Sequence, residues 1–295
     1  DLHYAIPEVR ARRKSSGGDY TYNYDTETDV DHDGTGVIVG IVDFGLDFAH
    51  PNFIDAAGKS RVLAIWDQND LGANPYPPPD TYKPLTGPKW YGEQTVNSLY
   101  VNSRVYLRDA TTRTDAGFPQ NANRPPFLNN KVGNANPYAD YYDPHRNYYL
   151  DPDDSTPNDP DEDKVIAHGT HVADIAAGNG RATGCHSGVA PKADIVFVQV
   201  RKPDLSGWKV SAADILNAVH FIFALADNLK KPAVVNLSMN LYSGPHDGSG
   251  PWESTLSGMV RNAAIDGMTL PRMIVVSAGN AYGLGRHARF VLNNQ

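Results

Sequence analysis

Short, continuous apolar runs recur along the chain and are separated by longer polar or mixed stretches. Runs of this length that are rich in β-branched residues are typical of strands buried on both faces. They predict four strands, at Val37 to Val42, Ile195 to Val200, Ala233 to Leu237 and Met273 to Ala278.

Between these runs, apolar residues recur at helical spacing. Gly169 to Ala177 predicts a helix with one apolar face, formed by Val172, Ile175 and Ala176. Ser211 to Ala226 predicts a second helix, and Ser211 followed by Asp214 predicts a capping box at its start. A third helix is predicted around Leu256 to Ala263. Strands that alternate with helices predict an α/β fold, a parallel sheet with helices on both faces.

One stretch, about residues 71–163, breaks this alternation. It holds fourteen of the 22 prolines and ten of the sixteen tyrosines, and so many prolines do not fit a regular strand-helix-strand unit. We expect a long irregular insertion, partly ordered by packing of its tyrosines. Residues 1–33 are polar and predict an N-terminal arm or a pro-region remnant, which leaves residues 34–295 as the main domain.

Composition excludes some classes of protein. With 295 residues and 40% apolar content, the chain can bury a large core. Its net charge of -8 argues against a nucleic-acid partner, which needs a basic surface. No run of about 18 apolar residues occurs, so we expect no membrane span.

Four polar side chains lie where the predicted sheet would present them together. Asp43, Ser238 and Asn280 each follow or end a predicted strand, and His168 begins a predicted helix. Because ligands bind at the carboxyl ends of the strands in such sheets, we expect these residues at one rim.

Three strings carry a resemblance to a known family: Val37-Ile-Val-Gly-Ile-Val-Asp43-Phe-Gly, His168-Gly-Thr-His-Val-Ala and Val275-Val-Ser-Ala-Gly-Asn280. They are similar, in order and type, to the aspartate, histidine and oxyanion-asparagine signatures of the subtilisin-like serine proteases. The strings Ser187-Gly-Val-Ala-Pro191 and Val235-Asn-Leu-Ser238-Met extend this resemblance. It implies a subtilisin-like sheet, a protein or peptide substrate, and an exported protein that is secreted or held in the cell envelope.

The resemblance also implies a role for each site residue. Asp43 would orient His168, His168 would act as general base, and Asn280 would donate a hydrogen bond to the oxyanion. Because His168 begins a helix, we expect the helix dipole to disfavour its protonated form. The family's usual hydroxyl residue after the acid is replaced by Phe44.

Substrate binding would fall to the strand end that carries Ser238, Met239 and Asn240. The family usually has glycine where this chain has Asn240. We expect the larger side chain to favour small or polar residues before the cleaved bond.

The family's Gly-Thr-Ser-x-Ala-Pro string, which carries the nucleophilic serine, is absent from the sequence. We interpret the chain as the N-terminal part of a catalytic domain whose missing C-terminal segment supplies the serine, so the chain alone is predicted to be inactive. One alternative is a pseudoprotease or peptide-binding module that lacks the nucleophile. Another is a metal-dependent hydrolase with His168, His171 and Asp174 as ligands, although His171 could instead pack beside the site.

No cofactor is required by this chemistry, but an acidic loop suggests a structural calcium ion. Its acidic residues Asp151, Asp153, Asp159 and Glu162 follow the spacing of a twelve-residue calcium loop. Thr156 stands where that loop needs glycine, so an ordinary solvated loop is the alternative.

Overall fold

The computed structural model describes residues 33–48, 50–69, 103–108, 168–182, 187–200, 210–239, 247–261, 264–265 and 268–279. The strands are β1 (Ile38–Asp43), β2 (Val62–Asp67), β3 (Arg104–Leu107), β4 (Asp194–Gln199), β5 (Ala233–Leu237), β6 (Ala264–Ile265), β7 (Met268–Thr269) and β8 (Arg272–Val276). The helices are α1 (His168–Ala177), α2 (Ala212–Asn228) and α3 (Pro251–Arg261), and a 3₁₀ turn covers Pro51–Phe53.

Six of the described strands form one sheet in the order β3-β2-β4-β1-β5-β8. Neighbouring strands are parallel except β2 and β3, which are antiparallel. β6 and β7 form a separate antiparallel pair. The predicted α/β fold is therefore confirmed, with a mostly parallel sheet whose centre is β1.

Helices cover both faces of the sheet, as predicted. Helices α2 and α3 pack on one face, where Val42, Val198 and Ile222 belong to one buried cluster. Helix α1 and the 3₁₀ turn pack on the other face, where Ile41 and Phe197 belong to a second cluster. Every residue of β1 is buried because helices lie against it on both sides.

Helix α2 begins as its sequence predicts. The Ser211 hydroxyl accepts a hydrogen bond from the Asp214 N–H at 3.1 Å, and the Asp214 carboxylate accepts one from the Ser211 N–H at 3.1 Å. Gly40 of β1 lets this helix approach closely, because a Cβ there would lie 2.6 Å from Cγ2 of Ile222. The capping box is thus confirmed, and α2 spans the centre of the sheet.

The structure also differs from these predictions in four strands and one helix face. Strands β2, β3, β6 and β7 were not predicted, and β3 lies within the stretch predicted as an irregular insertion. The buried face of α1 is formed by Gly169, Ala173 and Ala177, whereas the face predicted from its larger apolar residues is only partly buried. Small residues let the helix lie close to its neighbours, which larger side chains would prevent.

The end of α1 is tied to its surroundings by one buried guanidinium. Arg61 donates hydrogen bonds to the carbonyl oxygens of Ala193 at 2.8 Å, of Asn52 at 2.7 Å and of Ala177. Burial lowers the pKa of Arg61 to about 10, so the group stays charged at neutral pH. Arg61 therefore links α1, the 3₁₀ turn and the start of β4.

No helix among the described residues is long and apolar enough to cross a membrane. The predicted N-terminal arm, apart from Asp33, and most of the predicted insertion lie outside the described residues.

Candidate functional site

The carboxyl ends of the central strands carry the candidate site. Asp43 is the last residue of β1 and is fully buried. Leu237 of β5 pairs with Val42 of β1, so Ser238 and Asp43 are the next residues on adjacent parallel strands. The prediction that these strand ends share one rim is met for the residues that the structure describes.

A hydrogen bond of 2.7 Å joins Nδ1 of His168 to Oδ1 of Asp43, 125 residues away in the sequence. A carboxylate can only accept, so Nδ1 carries the proton. In the neutral ring, Nε2 then holds the free electron pair. The His168 side chain is 43% exposed, which gives reactants access to that ring. This geometry is that of a general base oriented by a buried acid.

The first turn of α1 is anchored to the segment that follows Asp43. The N–H groups of Gly169 and Thr170 donate to the carbonyl oxygens of Phe44 at 2.6 Å and Gly45 at 2.9 Å. These bonds satisfy N–H groups that a helix start leaves without partners. A Cβ at Gly169 would lie 2.7 Å from both carbonyl oxygens, so only glycine fits immediately after His168.

His168 and Asp43 each shift the pKa of the other. The hydrogen bond to Asp43 raises the pKa of His168, and burial opposes this effect only in part. Burial raises the pKa of Asp43, and the hydrogen bonds from His168 and the Phe44 N–H oppose it. The net shift for His168 is therefore towards the protonated form, and its cause is the hydrogen-bonded carboxylate at 2.7 Å. The contribution expected from the helix dipole stays a prediction.

One oxygen of Asp43 has no hydrogen bond to any described residue. Oδ1 accepts from the Phe44 N–H at 2.7 Å as well as from His168, whereas the buried Oδ2 has no partner in the described part of the chain. The side chain of Phe44 is buried in the core cluster beside α2 instead. The loss of a hydroxyl donor, expected from the sequence, fits this arrangement.

The predicted substrate-binding residues Ser238 and Met239 are half-buried beyond the end of β5. The Asn236 side-chain amide donates to the Ser238 hydroxyl oxygen at 2.8 Å. The Ser277 hydroxyl donates to the Met239 carbonyl oxygen at 3.2 Å, and the Ser277 N–H donates to the Leu237 carbonyl oxygen at 3.1 Å. The segment after β5 is thereby held against the segment after β8.

Other predicted site residues lie outside the described residues. They are Asn280, Asn240 and the acidic set Asp151, Asp153, Asp159 and Glu162. Gly279, directly before Asn280, has a φ of +94°, a conformation that favours glycine. Their roles stay predictions.

The alternative metal site has no support in the described residues. His168 is bonded to Asp43, His171 is exposed rather than packed beside the site, and Asp174 accepts a hydrogen bond from the Asn52 side chain at 2.7 Å. Within the described ranges, no group of three or more potential ligands could hold a metal ion.

Gln199 was not among the predicted site residues. This buried residue ends β4 beside Asp43, and its Oε1 accepts a hydrogen bond from the Gly45 N–H at 2.7 Å. A lone glutamine inside the apolar run Ile195 to Val200 was the signal that could have identified it, because buried amides need partners.

This chain is similar to a known protein family and to two solved structures. The model of the subtilase family matches residues 34–290. The structure of the Clostridium perfringens CspB protease is similar, with 22% identity and a TM-score of 0.52, over 87% of this chain and 39% of that one. A psychrophilic protease is similar with 16% identity and a TM-score of 0.40, over 86% of this chain and 50% of that one. The chain thus matches half or less of the length of each.

Proposed function

Because this chain belongs to the subtilase family, we propose that it is the N-terminal part of a serine endopeptidase. Peptide bonds would be hydrolysed through a triad of Asp43, His168 and a serine that lies on a segment outside this chain. The observation that carries this proposal is the 2.7 Å hydrogen bond between Asp43 and His168 at the carboxyl ends of the strands.

The geometry supports a specific sequence of proton transfers. Nε2 of neutral His168 takes the proton of the serine hydroxyl as its oxygen attacks the substrate carbonyl. Asp43 stabilises the imidazolium that forms, and His168 then gives the proton to the leaving amine. We assign Asn280 the role of donating its side-chain amide to the oxyanion, a contribution of roughly 3 to 4 kcal/mol at such sites in subtilisin.

An uncovered apolar surface supports the proposal that a further segment completes the site. In β8, Ile274 packs toward the cluster beside α2, so Met273 and Val275 point to the opposite face of the sheet. Met273 and Val275 are 57% and 46% exposed, and Val276, on the face of Ile274, is 51% exposed. Strands of a parallel sheet are normally covered on both faces, and a segment that packs here would lie on the same face as α1.

A fluorophosphonate probe, which reacts with activated serines, tests the proposal. The 295-residue chain should not be labelled, whereas the chain extended by its genomic continuation past Gln295 should be labelled at one serine. His168→Ala in the extended chain should abolish that labelling. Labelling of the 295-residue chain, or none of an extended chain that carries the serine string, would overturn the proposal.

A second candidate is a peptide-binding module, favoured by the absence of the serine string from the sequence. A reading frame that stops after Gln295, together with binding of unfolded peptides without cleavage, would establish it. Titration calorimetry with a denatured protein as ligand measures such binding directly.

Substrate preference and location belong to the same proposal. Asn240 would narrow the pocket for the residue before the cleaved bond, so small or polar residues should be preferred there. Secretion or attachment to the cell envelope, a structural calcium ion at the acidic loop, and a protein or peptide substrate are proposed as well, on the strength of the family.

A further inference from the structure

Gln199 contacts the turn that joins the acid to the base. Its Cα pairs with that of Asp43 across β1 and β4, and it is fully buried. Phe197, two residues earlier, belongs to the cluster on the α1 side of the sheet, so the Gln199 side chain lies on that side too. Gln199 and Asp43 are therefore neighbours on the same face.

Both the oxygen and the nitrogen of the Gln199 carboxamide form hydrogen bonds. Oε1 accepts from the Gly45 N–H at 2.7 Å, and Nε2 donates to the Val200 carbonyl oxygen at 2.9 Å. Gly45 has a φ of +66°, a conformation that costs other residues energy. The amide thus ties a turn in the left-handed region to the end of β4.

The same turn determines the positions of both members of the pair. On one side of Gly45, the Phe44 N–H donates to Oδ1 of Asp43. The Phe44 and Gly45 carbonyl oxygens accept from the first turn of α1, which carries His168. A third hydrogen bond, from the Asp47 N–H to the Thr170 hydroxyl at 2.8 Å, also joins this segment to the first turn of α1. A displacement of Gly45 would therefore move the base relative to the acid.

A neutral amide is the side chain that this position requires. Gln199 pairs with Asp67 of β2 as well as with Asp43, so it lies between two buried carboxyl groups. A glutamate here would accept a hydrogen bond from the Gly45 N–H but could not donate one to the Val200 carbonyl oxygen. It would also add a carboxyl group between those of Asp43 and Asp67. A methionine would fill similar space and make neither bond.

We propose that Gln199 is a positioning residue for the proposed protease site, whose carboxamide holds the turn at Gly45 and thereby keeps His168 on Asp43. This inference rests on the proposed function only where it links the position of His168 to proteolysis. The geometry itself can be tested in the 295-residue chain without any cleavage assay.

Proton NMR of the His168 ring gives the readout. In Gln199→Met, the pKa of His168 should fall towards that of an ordinary histidine, and the downfield Nδ1–H resonance should broaden or disappear, because the bond to Asp43 loosens. Asp43 is the charged group that raises the pKa of His168 in the structure, so the titration reports this contact. A His168→Ala spectrum assigns both signals.

Gln68→Met is the matched control. Gln68 is also buried, and its main-chain N–H donates to the Gln199 carbonyl oxygen at 3.0 Å. Its side chain, however, donates to the Asp214 carbonyl oxygen at 3.0 Å and makes no hydrogen bond to Gly45. The control should leave both His168 signals unchanged. Equal changes in the two variants would show general loosening and overturn the inference, as would a folded Gln199→Met protein with unchanged signals.

Gln199→Glu tests the same positioning role if Gln199→Met does not fold. It keeps an acceptor for the Gly45 N–H, so the Nδ1–H resonance should persist although the bond to Val200 is lost. A folded Gln199→Glu protein that lacks this resonance would overturn the inference. Failure of serine labelling in the extended chain would refute the protease proposal but would leave these NMR results as they are.

Discussion

Both ends of helix α1 are held by a buried charged side chain, but the partners of the two charges differ. At the first turn, the Asp43 carboxylate accepts a hydrogen bond from the imidazole of His168. At the last turn, the Arg61 guanidinium donates to three main-chain carbonyl oxygens, those of Ala177, Asn52 and Ala193.

Because their partners differ, Arg61 has a structural role and Asp43 a chemical one. Carbonyl oxygens do not titrate near neutral pH, so the contacts of Arg61 are constant and serve the fold. An imidazole does titrate there, and His168 is half-buried whereas Arg61 is buried. The same helix therefore has a structural clamp at one end and a group that can exchange protons with a substrate at the other.

The largest expected effect is the loss of peptide cleavage when His168, at the first turn of α1, is replaced. In the extended, active form, His168→Ala should lower kcat by a factor on the order of 10⁵ to 10⁶, because the other triad members act only together with the base. In the 295-residue chain it should lower the free energy of unfolding by about 1 to 3 kcal/mol, because the fully buried Asp43 carboxyl loses its side-chain hydrogen-bond donor. Peptide cleavage rates and urea unfolding measure the two quantities.

His171→Ala is the matched control, because His171 is exposed on the same helix. It should leave both quantities unchanged. An active His168→Ala enzyme would contradict the assignment of the base.

Arg61→Met should produce the largest loss of stability, roughly 3 kcal/mol in the free energy of unfolding. Three carbonyl oxygens would lose their charged donor, and each buried group without a partner costs about 1 to 3 kcal/mol before relaxation. Urea unfolding followed by tryptophan fluorescence measures this loss.

Arg181→Met provides the comparison, since Arg181 is exposed and also donates to main-chain carbonyl oxygens, those of Ile54 and Asp55. It should cost no more than about 0.5 kcal/mol. Similar losses in the two variants would show that burial of Arg61 is not what makes its contacts stabilising.

The smallest expected effect is a difference in pH dependence. Because Asp43 raises the pKa of His168 in the folded state, protonated His168 stabilises the fold. This contribution is fully present below the unfolded pKa of about 6.5 and is lost as pH rises through the higher folded pKa. Proteolysis in the extended form has the opposite sign, since it needs the neutral ring, and should rise with pH over that window.

Unfolding measured at several pH values checks this prediction. The difference in unfolding free energy between the wild-type chain and His168→Ala should shrink as pH rises through the folded pKa of His168. The difference between the wild-type chain and Arg61→Met should stay constant from about pH 6 to about pH 8, because Arg61 is charged throughout. A constant difference for His168→Ala would show that Asp43 does not bind the protonated ring more tightly.

Most of the sheet could be predicted from the sequence. The apolar runs gave β1, β4, β5 and β8 to within two residues at each end, and the spacing of Ser211 and Asp214 gave the start of α2. These features depend on side chains close together in the chain, so periodicity and capping determine them locally. Asp43 and His168 were named as partners because their strings resemble a known family.

Contacts between residues that are far apart in the chain could not be predicted from local patterns. Periodicity could not show that β3 pairs with β2, that Gln199 of β4 bonds to Gly45, or that Arg61 meets the end of α1. The direction of the His168 pKa shift also depended on a carboxylate 125 residues away, at 2.7 Å. Local patterns of residues decide which segments become strands and helices, because those preferences depend on neighbours in the chain. Packing determined register, helix approach and protonation, because each depends on distances between residues that are remote in the chain.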